Sequence, residues 1–239
     1  DELREFINTA SEVAVSDCFS ILPPGSATPE HVAHLTSLGV VAAETALRDQ
    51  LTASTPEQEP EHPEVTEAAQ VAGLDAGQTT AAAAVASTDP LVIVEGAAGS
   101  GKTTMLGVAI SAAQQEGQPT RVVAPTKKAA DVAHHALGVP ADSVAALVHA
   151  HGYRWNTDGV WTRLAPGDTD PETGRAYTGP PETTRLQVGE RIVVDEAGML
   201  DQDSALALFT VATETGATLA LVGDRAQLPA VGRGGVLDI

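Results

Sequence analysis

An apolar run, Leu91-Val92-Ile93-Val94, leads directly into Glu95-Gly96-Ala97-Ala98-Gly99-Ser100-Gly101-Lys102-Thr103-Thr104, and helical spacing (Met105, Leu106, Val108, Ala109, Ile110) follows. This order of strand, small-residue turn and helix narrows the folds open to the chain more than any other feature. The small residues from Gly96 to Gly101 let the backbone curl so that successive N–H groups point inward. Such a concavity, joined to the positive N-terminal end of a helix, binds phosphate oxygens. At this spacing Lys102 brings a point charge to the outer phosphates, and the Thr103 hydroxyl is placed to ligate Mg²⁺.

The residues downstream decide the fold class. From about residue 67 short apolar runs alternate with helical patterns. Strands are expected at 91–95, 121–124, 191–195 and 218–222, and helices at 76–86, 103–116, 128–137 and 204–215. Continuous apolar strands separated by helices imply βαβ units, hence a mainly parallel sheet covered by helices on both faces. Tyr153-Arg154-Trp155-Asn156-Thr157-Asp158-Gly159-Val160-Trp161-Thr162-Arg163 has a turn signal at Asp158-Gly159 between aromatic-bearing arms and predicts a hairpin. A polar, Pro/Gly-rich surface loop over 165–185 follows, so about 152–186 is an insertion.

Residues 1 to about 52 read as a mostly helical appendage. A helix is expected over Asp1–Ala14, and another over Val32–Leu51 after a start signal at Thr28-Pro29. Residues 53–66 are acidic and Pro-rich and read as a linker. The division expected is 1–64 and 65–239. The chain opens without a methionine and stops soon after a strand, so both ends read as cut from something larger.

The 43% apolar fraction is rich in alanine and only 3% of residues are aromatic, which fits a globular protein with thin helix contacts. No apolar run approaches the roughly 18 residues of a membrane span, and no signal segment opens the chain. The single Cys18 excludes an internal disulfide framework, reads as a small partly buried hydrophobe, and fits the cytoplasm. A net charge of −19 argues against a general nucleic-acid binder, although a local basic groove can survive on an acidic protein.

Three further segments add chemistry to the phosphate loop. Arg191-Ile192-Val193-Val194-Asp195-Glu196 is an apolar strand ending in two carboxylates. Asp195 suits Mg²⁺, held through water beside Thr103, and Glu196 is placed to polarise an attacking water. The strand at 218–222 runs into Gly223-Asp224-Arg225-Ala226-Gln227, where the neutral amide of Gln227 can meet a γ-phosphate or orient water. Before the first strand, Gln78 offers a paired donor and acceptor that suits an adenine edge.

Together, Gln78, Gly96–Thr104, Ala124-Pro125-Thr126-Lys127, Asp195-Glu196-Ala197-Gly198-Met199 and Gly223–Gln227 resemble the ordered motifs of superfamily 1 DNA helicases. The RecD-like branch is the best match, and the motifs are those of its first RecA-like domain. With Arg154–Trp161 and Val222–Leu237 included, the chain is most similar to the helicase part of actinobacterial conjugative relaxases of the MobF type. The likeness spans 67–239, and His34–Leu47 resembles the segment preceding the helicase there.

The resemblance implies ATP and Mg²⁺ as cofactors. Gln78 would bind adenine; Gly96, Ala97, Ala98, Gly99, Ser100, Gly101, Lys102, Thr103 and Thr104 would hold the phosphates; Thr103 and Asp195 would hold the metal. Lys102, Glu196 and Gln227 would be catalytic, with Glu196 the base and Gln227 the γ-phosphate sensor. Pro125, Thr126, Lys127 and His149 would meet single-stranded DNA. The implied partners are that DNA, a second RecA-like domain of the same polypeptide, and other conjugation proteins. His149-x-His151 is too sparse for a metal site. Arg154, Trp155, Trp161 and Arg163 fit either base stacking or packing on their own domain. Other readings stay open: a RecD-like repair helicase, a nucleotide-dependent interaction module, or a small-molecule kinase, in which 223–227 has no obvious place.

Overall fold

The computed structural model describes residues 18–20, 35–53, 63–156, 160–226 and 235–238. At its centre is a five-stranded parallel sheet in the order β3 (Leu91–Glu95), β9 (Thr218–Gly223), β8 (Arg191–Asp195), β4 (Thr120–Ala124), β5 (Ala141–Ser143). Four of these strands fall where the apolar runs predict them. A strand's side chains alternate between faces, so a run apolar at every position feeds two cores at once. Along β8, Ile192 and Val194 enter one core while Val193 enters the other, and all three are fully buried.

Helices α3 (Ala76–Ala86), α4 (Lys102–Gln115) and α5 (Lys127–Leu137) cover the Val193 face, joined by α2 (Pro63–Ala72). Alanine dominates their contacts, including Ala82, Ala86, Ala109, Ala112, Ala113 and Ala133, so backbones approach closely with little side-chain bulk. The opposite face carries α6 (Val144–Ala150), α7 (Gln202–Thr215) and Leu47 of α1 (Leu38–Ala53). Gln202 also donates to Glu44 across the α1–α7 contact at 3.3 Å.

Three expectations need correction. The helix expected from Val32 begins only at Leu38, because Leu35–Ser37 forms a strand (β2) paired antiparallel with Cys18–Ser20 (β1). Residues 63–66, read as linker, are the first turn of α2, where Val65 is buried against the alanine-rich core. The helices expected at 128 and 204 start earlier, since Thr126 and Asp201 cap them and draw the next residues into the first turn. The expectations for Asp1–Ala14, Thr28-Pro29, the Cys18 side chain and the Asp158-Gly159 turn lie outside the described residues.

The insertion is a hairpin, β6 (Tyr153–Trp155) with β7 (Trp161–Arg163), followed by a loop folded over its base. Arg154 is buried and bonded to Asp170 at 2.7 Å, and it also donates to the carbonyls of His149 and Tyr153. Arg163 grips Glu214 of α7 through two 2.7 Å bonds and stacks over Tyr153 at 5.0 Å. Trp155 and Trp161 lie 4.8 Å apart, centroid to centroid. Of the two readings of these side chains, packing on the domain is therefore the one seen for both arginines.

The Arg154 guanidinium holds the Asp170 carboxyl far below the usual aspartate range. A depressed carboxylate contributes stability above its unfolded pKa, roughly 3.9, and loses it only as pH falls through the folded value. The hairpin should thus stay docked at about pH 4, where an ordinary aspartate is half protonated. Tryptophan emission from Trp155 and Trp161 checks this, and a transition centred at the ordinary pKa would rule the pair out as the anchor. No helix among the described residues is long and apolar enough to cross a membrane.

Candidate nucleotide site

The phosphate loop spans the end of β3 and the start of α4. Helices α3, α5, α6 and α7 are each capped by a side chain, from Asp75, Thr126, Ser143 and Asp201 respectively. Helix α4 is not: its first position follows Gly101 in the left-handed conformation (φ 76°), with no side-chain cap. Its first N–H groups are left without intrahelical acceptors, as an anion site requires. A Cβ at Gly101 would also lie 2.6 Å from Gln78 Nε2, so a larger residue there would push that amide aside.

Gln78 is tied to this loop. Its Oε1 accepts from Asp75 N at 2.9 Å, completing a capping box, while its Nε2 donates to the Ser100 carbonyl at 2.8 Å. The Lys102 ammonium folds back into the loop, donating to Gly96 O at 2.6 Å and Ala97 O at 3.1 Å.

Across from the loop, β8 delivers Asp195 and Glu196. Burial pushes the Asp195 carboxyl above the ordinary aspartate range and the adjacent Glu196 pushes it the same way, opposed by the Glu196 N–H, 3.0 Å away, and by Lys102. Two neighbouring carboxylates, both half-buried, call for a cation. Glu196 is also the one non-glycine residue with positive φ (57°) among the described residues. Left-handed backbone at a non-glycine residue costs on the order of 1–3 kcal/mol and persists where surrounding structure imposes it.

A close backbone contact lies just beyond Glu196. After Glu196 the chain makes a short 3₁₀ turn, Ala197–Met199, lying on the end of β9. A Cβ on Gly198 would stand 2.5 Å from the Asp224 carbonyl oxygen, and one on Gly223 would stand 2.7 Å from Gly198 N. The acidic pair and the turn after β9 are thereby locked together, a coupling that no spacing rule reveals. Gly198→Ala should cost about 1–3 kcal/mol by overpacking and displace Glu196. Chemical denaturation would measure it, and an unchanged midpoint would show that the contact relaxes freely.

A cavity of about 350 Å³ joins these parts. Lys102, Thr103, Asp195 and Glu196 line it together with Met199 and with Thr126, Lys128 and Ala129 from the start of α5. The hydroxyl and carboxylate oxygens of Thr103 and Asp195 form a hard-donor set that fits Mg²⁺. Gln227 lies outside the described residues.

The four positions expected to meet DNA are dispersed in role. Pro125 is half-buried at the end of β4, and Thr126 caps α5 and lines the cavity. Lys127 pairs with Asp131 (3.4 Å) and Asp142 (3.5 Å), and His149 lies 3.1 Å from Glu172 and edge-on to Trp155.

Sequence reasoning missed the α5 wall of this cavity and the buried Arg191 at the far end of β8. For Arg191, an arginine opening a run of apolar residues is the available signal.

A family model described as an AAA domain matches residues 73–239. No curated protein matches the chain. The matched span holds the sheet, the phosphate loop and both carboxylates, so the chain belongs to the AAA-domain family and folds as a RecA-like P-loop nucleoside-triphosphatase domain.

Proposed function

We propose that the chain is the ATP-binding and ATP-hydrolysing half of a DNA helicase motor, working 5′–3′ on single-stranded DNA within a conjugative relaxase–helicase of the cytoplasm. The observation that carries this reading is the single cavity walled by Lys102, Thr103, Asp195 and Glu196. On ATP binding, Lys102 exchanges its two loop carbonyls for phosphate oxygens, and the uncapped N–H groups of α4 take further oxygens. Gln78, anchored to Ser100, is set beside the loop to meet the adenine. Thr103 and Asp195 hold Mg²⁺, which neutralises charge on the phosphates. Glu196 accepts a proton from the attacking water and Gln227 reports the γ-phosphate. Residues 65–239 form the motor half and 1–64 an appendage whose helix α1 packs Leu47 into the motor's core. A second RecA-like domain of the same polypeptide and other conjugation proteins complete the assembly, and Pro125, Thr126, Lys127 and His149 meet the DNA strand.

Single-turnover hydrolysis of labelled ATP by the intact gene product, with and without an oligo-dT strand, tests this. Hydrolysis that rises with the oligonucleotide, and a salt-sensitive oligonucleotide complex, are the expected results. A second reading, a nucleotide-dependent module for a protein partner, is favoured by the pairing of Lys127, His149, Arg154 and Arg163 with carboxylates on a chain of net charge −19. Hydrolysis indifferent to DNA at every salt concentration would decide for it.

A further inference from the structure

Two lysines stand side by side at the start of α5, and the fold treats them differently. Lys127 is paired with Asp131 and Asp142 and does not line the nucleotide cavity. Lys128, turned about 100° further around the helix, lines it together with Lys102, Thr103, Asp195 and Glu196. Among the described residues no carboxylate pairs with Lys128.

The neighbourhood gives this cation a purpose. Lys128 shares the first turn of α5 with Thr126 and Ala129, both of which line the cavity, so the N-terminal ends of α4 and α5 border the same space. Two carboxylates line the same cavity, and Lys102 reaches the phosphates from the loop side. A magnesium–triphosphate remains net anionic, and its outermost oxygens extend past the loop toward the carboxylates. The α5 wall is where an added cation meets them.

We infer that Lys128 contacts the terminal phosphate of the bound nucleoside triphosphate from the α5 wall, and so lets the site tell triphosphate from diphosphate. This rests on reading the cavity as the ATP site. The contact is with a group that ADP lacks, so its removal must act on one nucleotide and not the other.

The test is titration of the 239-residue chain with mant-ATP and mant-ADP in Mg²⁺, by fluorescence. Lys128→Gln should weaken mant-ATP by about 10-fold, the value of one charge-assisted bond at a solvent-open site, and leave mant-ADP unchanged. Lys128→Arg should keep the preference for ATP. Lys102→Ala, run beside them, should weaken both. If Lys102→Ala weakens both while Lys128→Gln moves both equally or neither, the inference is wrong and the cavity reading stands. If Lys128→Gln changes only the affinity for an oligo-dT strand, the lysine serves DNA and the inference is likewise overturned. If Lys102→Ala leaves nucleotide affinity intact, the cavity reading itself falls. Lys128 is exposed, so its variants should melt with the parent.

Discussion

In the full-length protein, Glu196→Gln is expected to lower ATP turnover by about 10²–10⁴-fold while leaving nucleotide affinity and melting unchanged. The amide keeps the volume of the carboxyl and its place against the 3₁₀ turn, but it cannot take a proton from water. The backbone at Glu196 is fixed by its neighbours, with φ 57° and Gly198 seated on Asp224. The side chain is thus presented at one position without help from substrate. Asp195, whose carboxyl is raised by burial, is the weaker candidate for the base: that shift is relieved by a cation, and holding one is its assigned task. Stopped-flow release of phosphate, in the presence of DNA, measures the effect. A loss below about tenfold would move the base elsewhere in the cavity.

Arg191→Ala should destabilise the fold by about 3–5 kcal/mol. The guanidinium is fully buried, donating to Leu219 O at 2.9 Å and to the carbonyl and hydroxyl of Ser87. Burial pulls its pKa down to about 10, with Asp89 opposing, so it is charged at neutral pH. Truncation opens a cavity and strips the carbonyls of Leu219 in β9 and of Ser87, which closes α3, of a donor. Arg191→Met keeps much of the volume and removes a costly buried charge, so a milder loss of about 1–2 kcal/mol is expected. Urea unfolding of the two variants separates these terms. An alanine variant within about 0.5 kcal/mol of the parent would show that the guanidinium holds nothing together.

The two variants also show what could be read from the chain alone. Strands β3, β4, β8 and β9 were legible because each is an unbroken apolar run, and only a sheet covered on both faces needs one. Helix α3 was legible because Asp75 caps it and Ser87 ends it. The edge strand β5 was not: Ala141-Asp142-Ser143 is short and polar, and it becomes a strand only because β4 offers a free edge beside it. Leu35–Ser37 failed in the same way, its pairing partner lying well upstream in sequence. For the site, spacing gave the loop and the carboxylates, since phosphate and magnesium impose fixed residue types. Spacing could not show that Gly198 and Gly223 touch, or which of Lys127 and Lys128 faces the cavity, because both depend on how distant segments meet.

Strand β8 spans only Arg191–Asp195, yet its first residue anchors the sheet's lower rim and its last residue opens onto the cavity. Durability and chemistry are thus assigned to opposite tips of one short segment, with three sealed aliphatic residues as insulation. Inactive forms suitable for trapping partners can therefore be made at the upper tip alone, and they should survive purification as well as the parent does.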